Sequence, residues 1–191
     1  EFSCEFGLRK RPLIVHVEAG LRSFDDDMPE EINRKLTDAI SDVLFVSDPV
    51  GLTHLKNEGV ADNRVFFVGN VMIDTLLAAR DQAMNSPILE QLGIKEKTYG
   101  LVTLHRPGNV DDPNTLKELL KTLDVVAKKL SLVFPIHPRT RQKLAASGIQ
   151  LDPSRWLLAD PLGYFDFLKL ISSASVVLTD SGGIQEETTV L

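Results

Sequence analysis

Four stretches of this chain set reactive side chains directly after apolar runs. The closing segment LTDSGGIQEE follows the run VVLT (176–179) with Ser181, Gly182 and Gly183, then opens a helical pattern carrying Glu186 and Glu187. A helix N-terminus at the carboxyl end of a strand offers free N–H groups and roughly half a positive charge. Two glycines let an oxyanion approach that backbone without meeting a β-carbon, and the Ser181 hydroxyl adds a donor. The glutamates would repel a phosphate they faced, so at least one is expected to reach sideways, where a carboxylate can accept from a ribose diol. A nucleotide therefore fits better than bare phosphate. On these residues alone a plain strand-to-helix turn, with first-turn acids complementing the helix dipole, stays open.

The second stretch, HVEAGLRSFDDDMPEEINR, places Glu18 at the end of an apolar run, Arg22 just beyond, Glu30 at the start of a helix and Arg34 one turn on. Two carboxylates and two guanidiniums are expected to converge there. Such a set can divide into a proton-transfer group and an anion holder, because a carboxylate beside arginine stays ionised while a poorly solvated one has its pKa raised. The alternative is a salt-bridge network capping one helix. Asp25, Asp26 and Asp27 read as a solvated loop, since consecutive carboxylates do not easily converge on one metal ion. The third and fourth stretches, VTLHRPGNVDDPNTL and FPIHPRT, put His105 and His137 at two further run ends. Histidine there can serve as acid, base or phosphate partner, or simply as a satisfied loop residue. His16 inside a run and His54 on a polar helix read as structural.

These groups need rigid elements behind them. Seven β-branched-rich runs recur at 12–17, 43–47, 64–68, 99–104, 132–136, 156–159 and 176–179. None alternates apolar with polar, so each reads as a strand covered on both faces of a parallel sheet. Amphipathic stretches fill the gaps. PEEINRKLTDAI begins with Pro29 and two acids and lines up Ile32, Leu36, Ala39 and Ile40 on one stripe, which marks a helix. PVGLTHLKNEG, MIDTLLAARDQAM, PNTLKELLKTLDVVAKKL, RTRQKLAASG and YFDFLKLISSA read likewise. The alternation is that of a doubly wound α/β fold. A hinge is expected at VGNVMIDTLL, dividing residues 1–70 from residues 71–191, with neither half holding the five or six strands of a full unit.

Composition narrows the function classes. The 191 residues are 43% apolar and 25% charged, as in globular proteins with a real core. A net charge of −6 with scattered lysines and arginines argues against nucleic acid. Cys4 alone makes no internal disulfide, and one Cys with four dispersed His builds no zinc spacing, so a reducing, cytoplasmic setting is expected and no metal. No apolar run reaches the ~20 residues of a membrane span, and the first residues lack the apolar core of a secretion signal.

Taken in order, HVEAGLRS, PEEINRKLTD, VGNVMIDTLL, VTLHRP, PIHP and LTDSGGIQEE resemble the non-hydrolysing UDP-N-acetylglucosamine 2-epimerases along essentially the whole chain. That resemblance implies two Rossmann-like domains of glycosyltransferase-B type with substrate in the cleft between them. It implies interconversion of UDP-GlcNAc and UDP-ManNAc without metal or nicotinamide, by elimination of UDP across C1–C2 and re-addition, for cell-surface polysaccharide precursors. It implies Glu18 and Glu30 as proton-transfer carboxylates, His105 at the leaving diphosphate, Ser181 and Gly182 on the diphosphate, Glu187 on the ribose, and Arg34 and His137 lining the site. Homodimers are implied for the full-length protein. Pro107–Gly108 departs from the Arg and Glu that many members carry after His-Arg, which weakens any regulatory site using that loop. The family's Arg-Pro-Glu loop and a catalytic aspartate would precede Glu1 and further helices would lie beyond Leu191, so the chain reads as an internal segment, expected to have little activity alone. Two other readings remain: a sugar transferase of the same fold, against which the paired glutamates spaced by seven residues are missing, and a nucleotide-sugar-binding module without turnover.

Overall fold

A computed structural model describes residues 11–146 and 148–191. Cys4 and the N-terminal segment around it lie outside the described residues, as does Ser147 near the end of the helix expected to reach Gly148. Every apolar run forms a strand: β1 Val15–Val17, β2 Val43–Val46, β3 Val65–Phe67, β4 Tyr99–Thr103, β5 Ser131–Pro135, β6 Trp156–Ala159 and β7 Val176–Thr179. The helices are α1 Pro29–Ile40, α2 Pro49–Asn57, α3 Val71–Met84, α4 Ile88–Gln91, α5 Pro107–Val110, α6 Pro113–Ala127, α7 Pro138–Ala146, α8 Tyr164–Ser173 and α9 Gly182–Thr188. Local chemistry sets several starts. Asp48 and Asp112 cap α2 and α6 by accepting the Val50 and Thr115 amides, and proline opens α1, α2, α5 and α6, where a missing N–H costs nothing. Among the described residues no helix is long and apolar enough to cross a membrane.

The chain is α/β with two parallel sheets and divides into two compact units, one running to Asp74 and one from Thr75 to Leu191. In the first, the sheet order is β1-β2-β3. Leu44 and Val46 of β2 pack with Ala19 and Leu55 in a small core. Here two expectations fail. Val15 and Val17 of β1 are 45% and 46% exposed, so β1 is not covered on both faces by the described residues. The apolar stripe of α1 also faces outward, with Ile32, Leu36 and Ile40 about half exposed, while the buried residues of that helix are Glu31 and Asp38. α1 docks through carboxylates because its inner side must satisfy the Gly20, Ser23 and Phe24 amides and the enclosed Arg22 guanidinium.

In the second unit the order is β6-β5-β4-β7. From β4 the chain winds outward through β5 and β6, then returns to pair β7 on the other side of β4. This reversal is a topological switch point, where crevices open at the carboxyl ends of the strands. Both faces are covered. Leu116, Leu120, Leu123 and Ala127 of α6 pack on one side, and Ile88 of α4 with Leu170 and Ile171 of α8 on the other. Each fully buried Leu or Ile contributes about 1.5–3 kcal/mol, so this double layer makes β4 and β7 a stiff base for the loops that leave their carboxyl ends.

Candidate active site

The candidate residues form two clusters, one in each unit. In the second unit, β4 and β7 are stitched at their ends by a 2.6 Å hydrogen bond between Thr103 Oγ1 and Thr179 Oγ1. Just beyond, the Asp180 carboxylate gathers the loop after β4. It accepts from the His105 and Arg106 amides (3.1 and 2.9 Å) and from Asn109 Nδ2 (3.0 Å), and its Oδ1 lies 2.7 Å from His105 Nδ1. Burial alone would push this carboxyl up, yet the bonds from Asn109 and the two amides overrule burial and hold it below the ordinary range. The anion therefore accepts the Nδ1 proton, and His105 Nε2 is the nitrogen left for other work. Pro107–Gly108, expected as an open loop, instead begins the one-turn helix α5, and that turn is what brings Asn109 to Asp180.

The Ser181 hydroxyl caps α9 by accepting the Ile184 amide at 3.4 Å, with Gly182 and Gly183 as the first helical residues. His105, Ser181 and His137 share a cavity of about 370 Å³ with Thr103, Leu162 and Phe167. A second cavity of about 260 Å³ also touches His105 and His137. The Arg139 amide donates to His137 Nδ1 at 3.3 Å, which puts the neutral ring's proton on Nε2. One α9 glutamate is exposed, Glu186, and the other, Glu187, is half-buried, with its pKa raised by that burial. Neither glycine of the turn is demanded by the fold. Neither has positive φ, and a β-carbon on Gly182 would meet nothing within 4 Å. A Gly-Gly pair kept where neither torsion nor packing asks for it points to an outside group that approaches the backbone.

In the first unit, Glu18 ends β1 with φ of 73°, a left-handed conformation costing a non-glycine residue about 1–2 kcal/mol. Glu18 and Glu30 are both exposed, and among the described residues neither carboxylate has a hydrogen-bond or ion-pair partner. The expected convergence of two carboxylates with two guanidiniums does not occur in that form. The Arg22 side chain is fully enclosed and paired with Asp38 (2.7 Å) and, in a two-pronged contact, Glu58 (2.7 Å each), which drive its pKa upward. Arg34 lies 3.5 Å from Glu31 and donates to the Glu30 carbonyl. Glu31, buried, accepts the Ser23 amide, the Ser23 hydroxyl and the Phe24 amide; these bonds, the Ser23 amide foremost, hold its pKa near about 2. The guanidiniums are thus occupied by structural carboxylates, as in the salt-bridge alternative, and Glu18 and Glu30 are left free. His16 and His54 are structural as expected, contacting Asp38 and the Gly20 carbonyl. Of Asp25–Asp27, all exposed, Asp26 pairs with Lys35.

Sequence reasoning missed Asp38, Glu58 and Asp180. Asp180 had a signal, being an acid at a strand's carboxyl end beside the cradle; Asp38 had none, because it lies opposite the only apolar stripe of its helix.

Comparison with known proteins agrees with this geometry. A 39% identical relative over 186 residues is a UDP-N-acetylglucosamine 2-epimerase of Methanococcus maripaludis, matched over 93% of this chain and 51% of that protein. A 42% identical relative is the UDP-2,3-diacetamido-2,3-dideoxy-D-glucuronate 2-epimerase of Pseudomonas aeruginosa, over 91% of this chain and 48% of that one. The crystal structure of Methanocaldococcus jannaschii UDP-GlcNAc 2-epimerase in complex with UDP-GlcNAc and UDP superposes with a TM-score of 0.80 at 38% identity, covering 91% of this chain and 49% of that one. The chain spans about half the length of the curated relatives it matches. The UDP-N-acetylglucosamine 2-epimerase family profile matches residues 6–191, and the chain belongs to that family.

Proposed function

We propose that this chain serves an enzyme that epimerises UDP-N-acetylglucosamine at C2, giving UDP-N-acetylmannosamine. The observation that carries this reading is the strand-end constellation of the second unit: His105, Ser181 and His137 around one cavity at the sheet's switch point, beside glycines that the fold does not need. In the proposed reaction a carboxylate removes the C2 proton, that electron pair forms the C1=C2 bond, and the C1–O bond breaks with its pair leaving on UDP. A second group then protonates C2 from the opposite face while a UDP oxygen re-attacks C1. Glu18 and Glu30, unpaired among the described residues, supply the proton transfers, each worth about 10²–10⁴ in rate. His105 Nε2 faces the departing diphosphate, where charge develops. Ser181 and the Gly182 amide hold that diphosphate, half-buried Glu187 accepts from the ribose, and Arg34 and His137 line the site.

The test is deuterium entry at C2 of UDP-GlcNAc in D₂O by the full-length enzyme, with loss of about 10²-fold or more in Glu18→Gln and His105→Ala. The Pseudomonas relative makes UDP-2,3-diacetamido-2,3-dideoxy-D-glucuronate the second substrate to offer. Sugar transfer to an added acceptor without C2 exchange would replace the epimerase reading with a transferase. UDP binding with no exchange would reduce the protein to a binding module.

A further inference from the structure

One buried carboxylate holds both flanks of the strained residue Glu18. Asp38, 2% exposed on α1, places Oδ1 2.5 Å from His16 Nδ1 and accepts the Gly20 amide on Oδ2 at 3.1 Å. His16 and Gly20 lie two residues before and two after Glu18, whose φ is 73°. The same Oδ2 meets the enclosed Arg22 guanidinium at 2.7 Å, so the charge needed to keep Asp38 ionised is built in. One turn from the start of the same helix, Glu31 binds the Ser23 and Phe24 amides. The helix that carries Glu30 is therefore tied, through Asp38 and Glu31, to the segment that carries Glu18. This matters because the Glu18 side chain has no polar partner among the described residues, so its direction is set by its backbone alone.

Resting on the reading of Glu18 and Glu30 as the proton-transfer pair, we propose that Asp38 is the positioning residue of this site, fixing the Glu18 backbone relative to Glu30 so that two carboxylates address C2 in a set geometry. A reacting group displaced by about 1 Å can cost about 10²-fold in rate, so a clamp on a left-handed turn is a rate device as well as a structural one.

The experiment compares kcat, KM, UDP affinity and melting temperature of the full-length enzyme with those of Glu18→Gln, Asp38→Ala, Asp38→Asn and His16→Ala. Asp38→Ala is expected to lose about 10²-fold in kcat with KM and UDP affinity within about threefold. Asn keeps an acceptor for the Gly20 amide and a partner for His16, so Asp38→Asn should recover to within about tenfold of wild type. If Asp38→Ala does not fold, His16→Ala decides, since it opens one flank only and should lower kcat by about tenfold at unchanged KM. Wild-type kcat in Asp38→Ala or in His16→Ala, with Glu18→Gln inactive, overturns the role of Asp38 and leaves the epimerase reading standing. Loss of kcat in step with UDP affinity and melting temperature overturns it too, marking Asp38 as structural. Full turnover by Glu18→Gln removes the assignment of Glu18 itself and the positioning role with it.

Discussion

His105 Nδ1 lies 2.7 Å from Asp180 Oδ1, joining the loop after β4 to the residue that ends β7. The carboxylate is almost enclosed, at 8% exposure, while the imidazole is 62% exposed. One partner is thus fixed by the fold and the other presented to solvent. A neutral imidazole carries a single ring proton, and an anionic acceptor at Nδ1 keeps it there. The nitrogen that faces the neighbouring cavity is decided from behind.

Asp180→Ala should therefore change His105 before it changes anything else. Long-range nitrogen NMR of the wild-type chain is expected to show Nδ1 protonated, and the alanine variant should lose that preference. In the full-length enzyme the same substitution should lower kcat by about 10- to 100-fold, the worth of one hydrogen bond to a charged group. Asp180→Asn, which still accepts the loop amides, should lose less. An unchanged tautomer in Asp180→Ala would show that the pair does not set it.

Gly182 separates a ligand cradle from a plain turn. A β-carbon there meets nothing within 4 Å and φ is not positive, so Gly182→Ala should leave melting unchanged or slightly raised, alanine being the better helix former. If a diphosphate rests on that backbone, calorimetry should find UDP affinity reduced by at least about tenfold, the loss of one charged hydrogen bond. Unchanged affinity would return Ser181–Gly183 to the simple strand-to-helix turn.

Much of this architecture can be read from the order of residues, and the failures share a cause. The strands were legible because runs such as VLFV and YGLVT lack polar alternation, which only sheet strands covered on both faces require. Glu18, His105 and Ser181 were legible because each comes just after such a run. Pattern alone misled at α1, where Ile32, Leu36 and Ile40 form a stripe as regular as a core face, yet the helix packs through Glu31 and Asp38. Periodicity records where apolar groups lie and is blind to a carboxylate buried against amides. The same blindness hid Glu58, whose role depends on Arg22 lying thirty-six residues earlier in the chain. Asn109 was hidden for another reason: a proline that begins a single helical turn looks, in sequence, like a loop.

Glu31 gives the first unit a directional response to acid. Its folded pKa is held near about 2, foremost by the Ser23 amide, whereas an unfolded glutamate titrates near about 4.3. A depressed folded value means that the stabilisation is complete above the unfolded pKa and is lost as pH falls toward the folded one. Denaturant melts of wild type and Glu31→Gln should differ most at pH 6 and converge as the pH drops from about 4.3 toward 2. A gap that stays constant across that window would mean that the Ser23 and Phe24 amides do not depend on the charge.

Gly20 and Gly69 share a left-handed backbone, with φ of 81° and 80°, but only one is hemmed in. A β-carbon on Gly20 would sit 2.6 Å from the Gly51 carbonyl oxygen, whereas one on Gly69 would meet nothing within 4 Å. Gly69→Ala should therefore cost only the torsional penalty, about 1–2 kcal/mol. Gly20→Ala adds a backbone collision that no rotamer relieves, for a total of about 2–5 kcal/mol. Urea titration of the two variants measures the difference directly, and equal losses would mean that the Gly20–Gly51 approach yields freely. Because the Gly20 amide is also one flank of the Asp38 clamp, any folded Gly20→Ala protein should lose kcat beyond its loss of stability, and Gly69→Ala should not.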